Sequence, residues 1–497
     1  MKPLVYLIGA GPGDPELLTL RGAKCLGRCD VVLYDGLSNS EILRLAPDAE
    51  HICVGKHGHS RIWKQQEIID EMLRHAAIGR TVARLKGGDP AVFARTAEEV
   101  DALRAAGIDF EIIPGITAAL AAGSYAGIPI THRKLASAVA LVTGHEEPGK
   151  PESALDWSAL AKFPGTLVIY MGVTTAKIWT EALISAGKDP ATPAALVRRC
   201  SLPDQSTLIC RLDEVADRLT PASQFRPPMI AIVGAVAELA ESMDWVQKRP
   251  LHGKTILVTR PADQADTFAD AIRDLGGVPM IAPAIEIVPV NDFSSLDESL
   301  NELATTDELI FCSANGVDAF FNRLEVLGYD SRRLAGPSIA VIGKKTESKL
   351  REHGIRADHV PEDYRATSLI ELLRSVSPLR NVTIIRANRG SDELPAALRQ
   401  MGVQVKEVAA YQNVDVEQPD PEVTAALAGR KIDWVTVTSS ATAENLYRMY
   451  GDHLRQTRVA AISPVTASVL DQLGVRVDAI ANPYTIESLL DEIVKQS

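Results

Sequence analysis

The stretch VYLIGAGPGDPELLTL, residues 5–20, decides the fold. Val5–Ile8 is a short apolar run that reads as a strand. Glycines 9, 11 and 13 permit tight turns and close backbone approach to a ligand. Asp14 stands where it would cap a helix over ELLTL. Strand, glycine loop and helix in that order open an α/β unit. A dinucleotide-binding GxGxxG would need glycine at position 14, where Asp stands, so a pyrophosphate cradle is disfavoured.

The same alternation runs outward from this stretch. Strands are predicted at Val31–Tyr34, Ile52–Val54, Val82–Leu85, Glu111–Ile113, Val139–Thr143, Leu167–Tyr170 and Ile230–Val233, with helical periodicity over Gln65–Ala77 and Ala97–Ala106. Strands alternating with helices predict α/β architecture. Residues 112–131 carry no charge, and their length raises the question of a membrane span. Pro114, Gly115, Gly123, Gly127 and Pro129 interrupt them, so a buried turn-helix-turn is expected.

The segment WVQKRPLHGK, residues 245–254, is polar and holds Pro250 and Gly253. Before it, residues 1–249 hold 27 Lys and Arg against 29 Asp and Glu; after it the counts are 25 and 35. This places two domains at 1–247 and 252–497. The whole chain has 497 residues, 46% of them hydrophobic, and a net charge of −12. That composition excludes disorder and coiled coil, and the acidic balance argues against a nucleic-acid partner. Asp14 and Glu16 come too early for a secretory signal. Six cysteines lack zinc spacing, so the expectation is a reduced, cytoplasmic chain with no metal and no membrane partner.

The second half repeats itself. IFCSANGVDAFF (310–321) aligns with TVTSSATAENLY (436–447) at an offset of 126, as DLGGVP (274–279) does with QMGVQV (400–405). IAVIGKKTESKL aligns with VAAISPVTASVL at an offset of 120, Ile342 against Ile462, and Tyr364 against Tyr484 keeps that offset. Two copies of this length predict two similar α/β lobes with a ligand cleft between them.

In the first half, several motifs sit at or just beyond the carboxyl ends of predicted strands, where open α/β sheets bind ligands. They are YD (34–35), VGK (54–56), RLKGGDP (84–90), PGITAA (114–119), AGIPITHR (126–133), VTGH (142–145) and YMG (170–172). Together with GAGPGDPELLTL they resemble the tetrapyrrole methylases over about residues 3–245, in particular those that C-methylate uroporphyrinogen III. The resemblance implies S-adenosyl-L-methionine as methyl donor and cofactor contacts at Pro12, Gly87, Gly88, Asp89, Val92, Thr117, Ala118, Met171 and Cys200. It also implies Asp35 as proton acceptor, Lys56 as proton donor, and a homodimer formed through this half. Arg133 is a candidate substrate contact as local positive charge, and an ordinary solvated face accounts for it equally. The chain departs from the family at Gly36, where an Arg usually stands. It departs again at Ala91, Ala94, Thr96 and Ala97 in DPAVFARTAEE, and at Cys200-Ser201. The Arg lost at Gly36 removes a bidentate donor for a substrate carboxylate.

VTRP (258–261), the repeat, Tyr411 in VAAYQ, TSSAT (438–442) and AISPVTA (461–467) resemble the uroporphyrinogen-III synthases over about residues 252–495. The resemblance implies cyclisation of hydroxymethylbilane to uroporphyrinogen III, with Tyr411 as the acid. Ser313, Thr346, Ser439, Ser440 and Thr466 are expected at loop starts, where hydroxyls and helix N-termini bind substrate carboxylates; plain helix capping accounts for the same residues. Arg260, Lys344, Lys345, Arg386 and Arg389 are further carboxylate partners. The expectation is therefore a bifunctional enzyme acting on small tetrapyrroles. The alternative reading is a methylase of another tetrapyrrole or of rRNA, carrying a non-catalytic tetrapyrrole-binding module.

Overall fold

A computed structural model describes residues 5–36, 38–55, 63–145, 154–220, 225–363, 366–375 and 379–497. The chain forms two compact units, one of residues 1–254 with 273–278, the other of 255–272 with 279–497. Among the described residues, each unit holds two five-stranded sheets. No helix among them is long and apolar enough to cross a membrane.

The first sheet of the first unit contains β1 (Val5–Gly9), β2 (Val31–Tyr34), β3 (Glu50–Cys53), β4 (Val82–Lys86) and β5 (Phe110–Ile113). Its order is β3-β2-β4-β1-β5, and every pairing is parallel. Parallel strands are covered on both faces, so alternate side chains feed two cores. Tyr6, Ile8, Val32 and Leu85 enter one; Val5, Leu7, Val31 and Val82 enter the other. ELLTL is not one helix. Asp14 caps a single 3-10 turn, Pro15–Leu17, and the α-helix starts at Leu20 under its own cap, Thr19.

The second sheet contains β6 (Val139–Thr143), β7 (Thr166–Tyr170), β8 (Pro193–Arg198), β9 (Ser206–Arg211) and β10 (Met229–Val233), in the order β6-β7-β10-β8-β9. Only β6 and β7 are parallel. β8 and β9 were not foreseen. β8 opens with Pro and two Ala, which are weak strand formers, and β9 is a half-exposed edge. The uncharged stretch 112–131 forms a half-buried turn into the helix Ala118–Tyr125.

The second unit contains β11 (Thr255–Val258), β12 (Val278–Ile281), β13 (Ile285–Pro289), β14 (Glu308–Phe311), β15 (Ser338–Val341), β16 (Asn381–Ala387), β17 (Gln404–Asp415), β18 (Trp434–Val437), β19 (Arg458–Ala461) and β20 (Ala479–Ile480). One sheet is β12-β11-β18-β19-β20, the other β13-β17-β16-β14-β15. The 126-residue offset maps β11 onto β16 and β14 onto β18; the 120-residue offset maps β15 onto β19. The sequence repeats are therefore not the lobes. Each lobe takes the first part of one copy and the last part of the other.

The chain passes between lobes along β13 and the second half of β17, which pair antiparallel with Ile287 opposite Asn413. Those two residues are themselves 126 apart, so a local two-fold relation runs through the ribbon. Tyr411 lies in this ribbon, opposite Pro289. The residue equivalent to Tyr411 in the other copy is Ile285.

Candidate active sites

Three glycine loops meet at the carboxyl ends of β1, β4 and β5. The Gly11 N–H donates to the Gly88 carbonyl at 3.2 Å, and the Gly88 N–H donates back at 2.8 Å. A Cβ on Gly9 would lie 2.6 Å from Gly115 Cα, and one on Gly115 would lie 2.3 Å from the Gly88 oxygen. The loops pack this closely only because none carries a side chain. Gly88 itself sits at φ +71, where a built Cβ would meet nothing nearer than Thr117 Cα at 3.8 Å and Ala118 N at 3.9 Å. That open space faces the start of the helix Ala118–Tyr125.

Asp89 fixes the loops to one another. One carboxylate oxygen accepts the Ala91 N–H at 2.7 Å, and the other accepts the Gly115 N–H at 2.9 Å. Tyr170, at the end of β7, closes the other side: its hydroxyl accepts from the Ala119 N–H at 2.9 Å and lies 2.6 Å from Thr117 Oγ1. Burial raises its phenol pKa, an effect that the hydrogen bond with Thr117 opposes. Phe93 packs 5.0 Å from the Tyr170 ring, Val92 is half-buried, and Met171 follows at φ +54, half-exposed. Tyr170 stood beside Met171 in the YMG motif, yet its contact with the helix start required the fold.

Cys200 is buried in the core that also holds Ala119 and Ala122, and burial pushes its thiol up to about 12. The polar neighbours of Cys200 reach the first glycine loop. Ser201 Oγ accepts the Asp14 N–H at 3.0 Å, Gln205 accepts the Ser201 N–H at 2.9 Å, and the Tyr125 hydroxyl donates to Asp14 at 3.2 Å. Pro12 is half-buried and Gly87 exposed in the loops so held. Cys210 and Cys312 are likewise pushed up to about 11 by burial. We expect Cys200, Cys210 and Cys312 to resist iodoacetamide at pH 8 in the native protein and to react after unfolding, read by mass spectrometry.

Asp35 follows β2 at the same edge of the sheet. Arg84 Nη2 contacts its carboxylate at 2.6 Å, while Arg84 Nε contacts Glu99 at 3.2 Å. Lys86 pairs with the other oxygen of Glu99. Burial and the neighbouring Arg84 push the Lys86 ammonium pKa down, and Glu99 acts against both. Lys56 lies outside the described residues, as do His57, His59 and Arg61. Arg133 is exposed on the turn closed by the His132 N–H to the Ala136 carbonyl, and is not drawn into these contacts. Among the described residues no cluster of His, Cys, Asp and Glu is arranged to hold a metal.

In the second unit, Tyr411 lies 2.9 Å from Ser313 Oγ, and Ser313 caps the helix Ala314–Val326 by accepting the Gly316 N–H. Burial raises the Tyr411 phenol pKa, and the hydrogen bond with Ser313 opposes that. A cavity of about 220 Å³ opens beside the pair, lined among others by Cys312, Arg386, Arg389 and Ser391. Both arginines are already offset, Arg386 by Glu407 and Arg389 by Asp415 at 2.9 Å.

Ser439 is the counterpart of Ser313 and caps the helix Ser440–Tyr450; Ser440 is that helix's first residue. Thr346 and Thr466 are not on loops. Both are buried in the first turn of a helix, and the cap at the second is Ser463, which accepts the Thr466 N–H. The Ser-x-x-Thr spacing was the signal for that cap. The Glu487 carboxyl pKa is lowered first by its own backbone N–H and the Thr485 hydroxyl; burial opposes this, and the charges of Lys345 and Arg260 add to it.

Comparison with known proteins follows the same division. The family described as Tetrapyrrole (Corrin/Porphyrin) Methylases matches residues 4–216, and Uroporphyrinogen-III synthase HemD matches residues 266–491. Porphyrin biosynthesis protein HemD of Ruminiclostridium josui is 33% identical over 494 residues, 99% of this chain and 97% of that protein. The S-adenosyl-L-methionine-dependent uroporphyrinogen III methyltransferase of Methanosarcina barkeri is 46% identical over 236 residues, covering 47% of this chain and 92% of that protein. Among solved structures, uroporphyrin-III C-methyl transferase from Thermus thermophilus complexed with S-adenyl homocysteine is 43% identical. It covers 47% of this chain and 99% of its own, with a TM-score of 0.41.

Proposed function

Because the chain belongs to the tetrapyrrole methylase family over its first half and to the uroporphyrinogen-III synthase family over its second, we propose that it is a bifunctional enzyme of tetrapyrrole biosynthesis. The second half closes hydroxymethylbilane into uroporphyrinogen III. The first half methylates that product at two carbons, giving precorrin-2. The observation that carries this reading is one chain holding both an open glycine cradle beside an Asp–Arg pair and a phenol over a cavity.

The cradle fits S-adenosyl-L-methionine. Gly88 at positive φ leaves room for a ligand against backbone, and the Ala118 amide at a helix start suits its carboxylate. On this reading Pro12, Gly87, Asp89, Val92, Thr117, Met171 and Cys200 contribute to holding the donor. When bound, that group supplies an electrophilic methyl. Asp35 accepts the proton that leaves the macrocycle as the pyrrole carbon forms its new bond. Arg84 holds the carboxylate in place, Lys56 returns a proton, and Arg133 meets a substrate carboxylate.

In the second half, Tyr411 donates a proton to the hydroxyl that leaves hydroxymethylbilane as water. A phenol is protonated near neutrality, and the hydrogen bond with Ser313 orients it. The cavity is smaller than the usual 300–1,000 Å³ of ligand pockets, so it takes one end of the bilane. Ser439 and Ser440, with Arg260 and Lys345, meet the remainder, while Thr346 and Thr466 stay buried in the first turns of their helices. The same reading makes the chain a cytoplasmic homodimer, paired through the methyltransferase half and acting on tetrapyrroles rather than nucleic acid. Sedimentation of the full chain checks the pairing.

The test is incubation of the full chain with hydroxymethylbilane, with and without S-adenosyl-L-methionine. Uroporphyrinogen I as sole product overturns the synthase half, and failure to methylate supplied uroporphyrinogen III overturns the methyltransferase half. Tyr411→Phe is expected to lower formation of uroporphyrinogen III at least about tenfold, in favour of the uncatalysed isomer I. Chromatography of the oxidised porphyrin isomers reads the ratio.

A further inference from the structure

The charges beneath Asp35 exceed what a strand end needs. Arg84 and Lys86 are 3% and 2% exposed and Glu99 is fully buried. Withdrawing three charges from water is costly, and apolar residues of similar size commonly serve stability as well or better. The cluster opens to solvent at one group only among its described members, Asp35, whose side chain is 31% exposed. Stability alone therefore gives a poor account of it.

Geometry gives a better one. The guanidinium is a rigid plane, so fixing two of its nitrogens aims the third. In Arg84, Nε is held by Glu99 and Nη1 by the Leu85 carbonyl at 3.1 Å, leaving Nη2 directed at Asp35. Glu99 is held in turn by Lys86 and by the Gln65 amide at 3.2 Å. Two cations, Arg84 and Lys86, face two carboxylates, Glu99 and Asp35.

We propose that Glu99 is a positioning residue for the methyl-transfer site: it fixes the Arg84 plane against Asp35 and offsets the buried positive charge, leaving the Asp35 carboxylate aimed at substrate and able to take a proton. This rests on the proposed role of Asp35 in methylation. Without the Glu99 charge, both cations fall to Asp35, which becomes locked as their counter-ion.

Glu99→Gln in the full chain is expected to lower kcat for methylation of uroporphyrinogen III about tenfold or more. KM for S-adenosyl-L-methionine and Kd for S-adenosylhomocysteine should stay within about twofold. Adding Lys86→Met removes the excess charge and is expected to return kcat to within about threefold of wild type. A merely structural Glu99 predicts the reverse, a second buried substitution compounding the first. Unchanged kcat in the single variant, or no recovery in the double, overturns the proposal. If Glu99→Gln fails to fold, the charge-balanced double variant decides alone by the same threefold limit. An inactive wild-type chain would instead overturn the methyltransferase reading itself.

Discussion

Asp35→Asn is expected to lower kcat for methyl transfer about 10²- to 10³-fold while leaving the Kd of S-adenosylhomocysteine within about twofold. The amide keeps the size of the carboxylate and can still accept one hydrogen bond from Arg84, but it cannot take a proton. The fold around it is held by backbone: the Asp35 N–H donates to the Leu85 carbonyl and its own carbonyl accepts from Ser38. The glycine cradle uses none of these contacts, so donor binding should survive. Isothermal calorimetry with S-adenosylhomocysteine and a single-turnover methylation assay separate the two effects. Equal loss of binding and rate would contradict the assignment.

Gly115→Ala should have the second large effect. A Cβ there would lie 2.3 Å from the Gly88 oxygen and 2.8 Å from Gly9 Cα, all of it backbone. Backbone cannot rotate away as a side-chain tip can, so three loops must separate. Overpacking of this kind costs about 1–3 kcal/mol or more. The displaced loops carry Gly88, so affinity for S-adenosylhomocysteine should fall by about 100-fold, roughly the same 3 kcal/mol. Formation of uroporphyrinogen III, assigned to the other unit, should persist. Gly79→Ala is the control. Gly79 has no atom within 4 Å of its built Cβ, so the change costs only the strain of φ +82 and should leave binding intact.

The parallel core of the first sheet was legible because β-branched runs such as VYLIG, fully buried, and VVLY, buried except at Tyr34, carry their own signal. β8 and β9 were not, since their stability comes from antiparallel neighbours rather than from composition. The cradle was legible as glycines in motifs, but not the reason for them, which is contact between loops some 27 and 106 residues apart, Gly88 with Gly115 and Gly9 with Gly115. Asp35 and Tyr411 stood out in their motifs. Glu99 did not: on a surface-like helix, Thr96–Ala105, it reads as one more solvated acid until Arg84 and Lys86 are placed beneath it. Thr466 was expected at a loop start, but Ser463, three residues earlier in the same short motif, is the residue that caps the helix.

The crossing of the two copies between the lobes of the second unit bears on how one end of a substrate is told from the other. A lone copy holds half of each lobe and can complete neither, whereas two identical copies on separate chains would complete both. Such a pair would be bound by its symmetry: a tyrosine at the ribbon position would appear twice, once over each lobe. Joined in a single chain, the copies are free to differ. They keep Ser313 and Ser439 alike, yet place Tyr411 on one side and Ile285 on the other. Covalent linkage lets a nearly two-fold scaffold carry the proposed proton donor, Tyr411, on one side alone, as suits a linear substrate with a leaving hydroxyl at only one end.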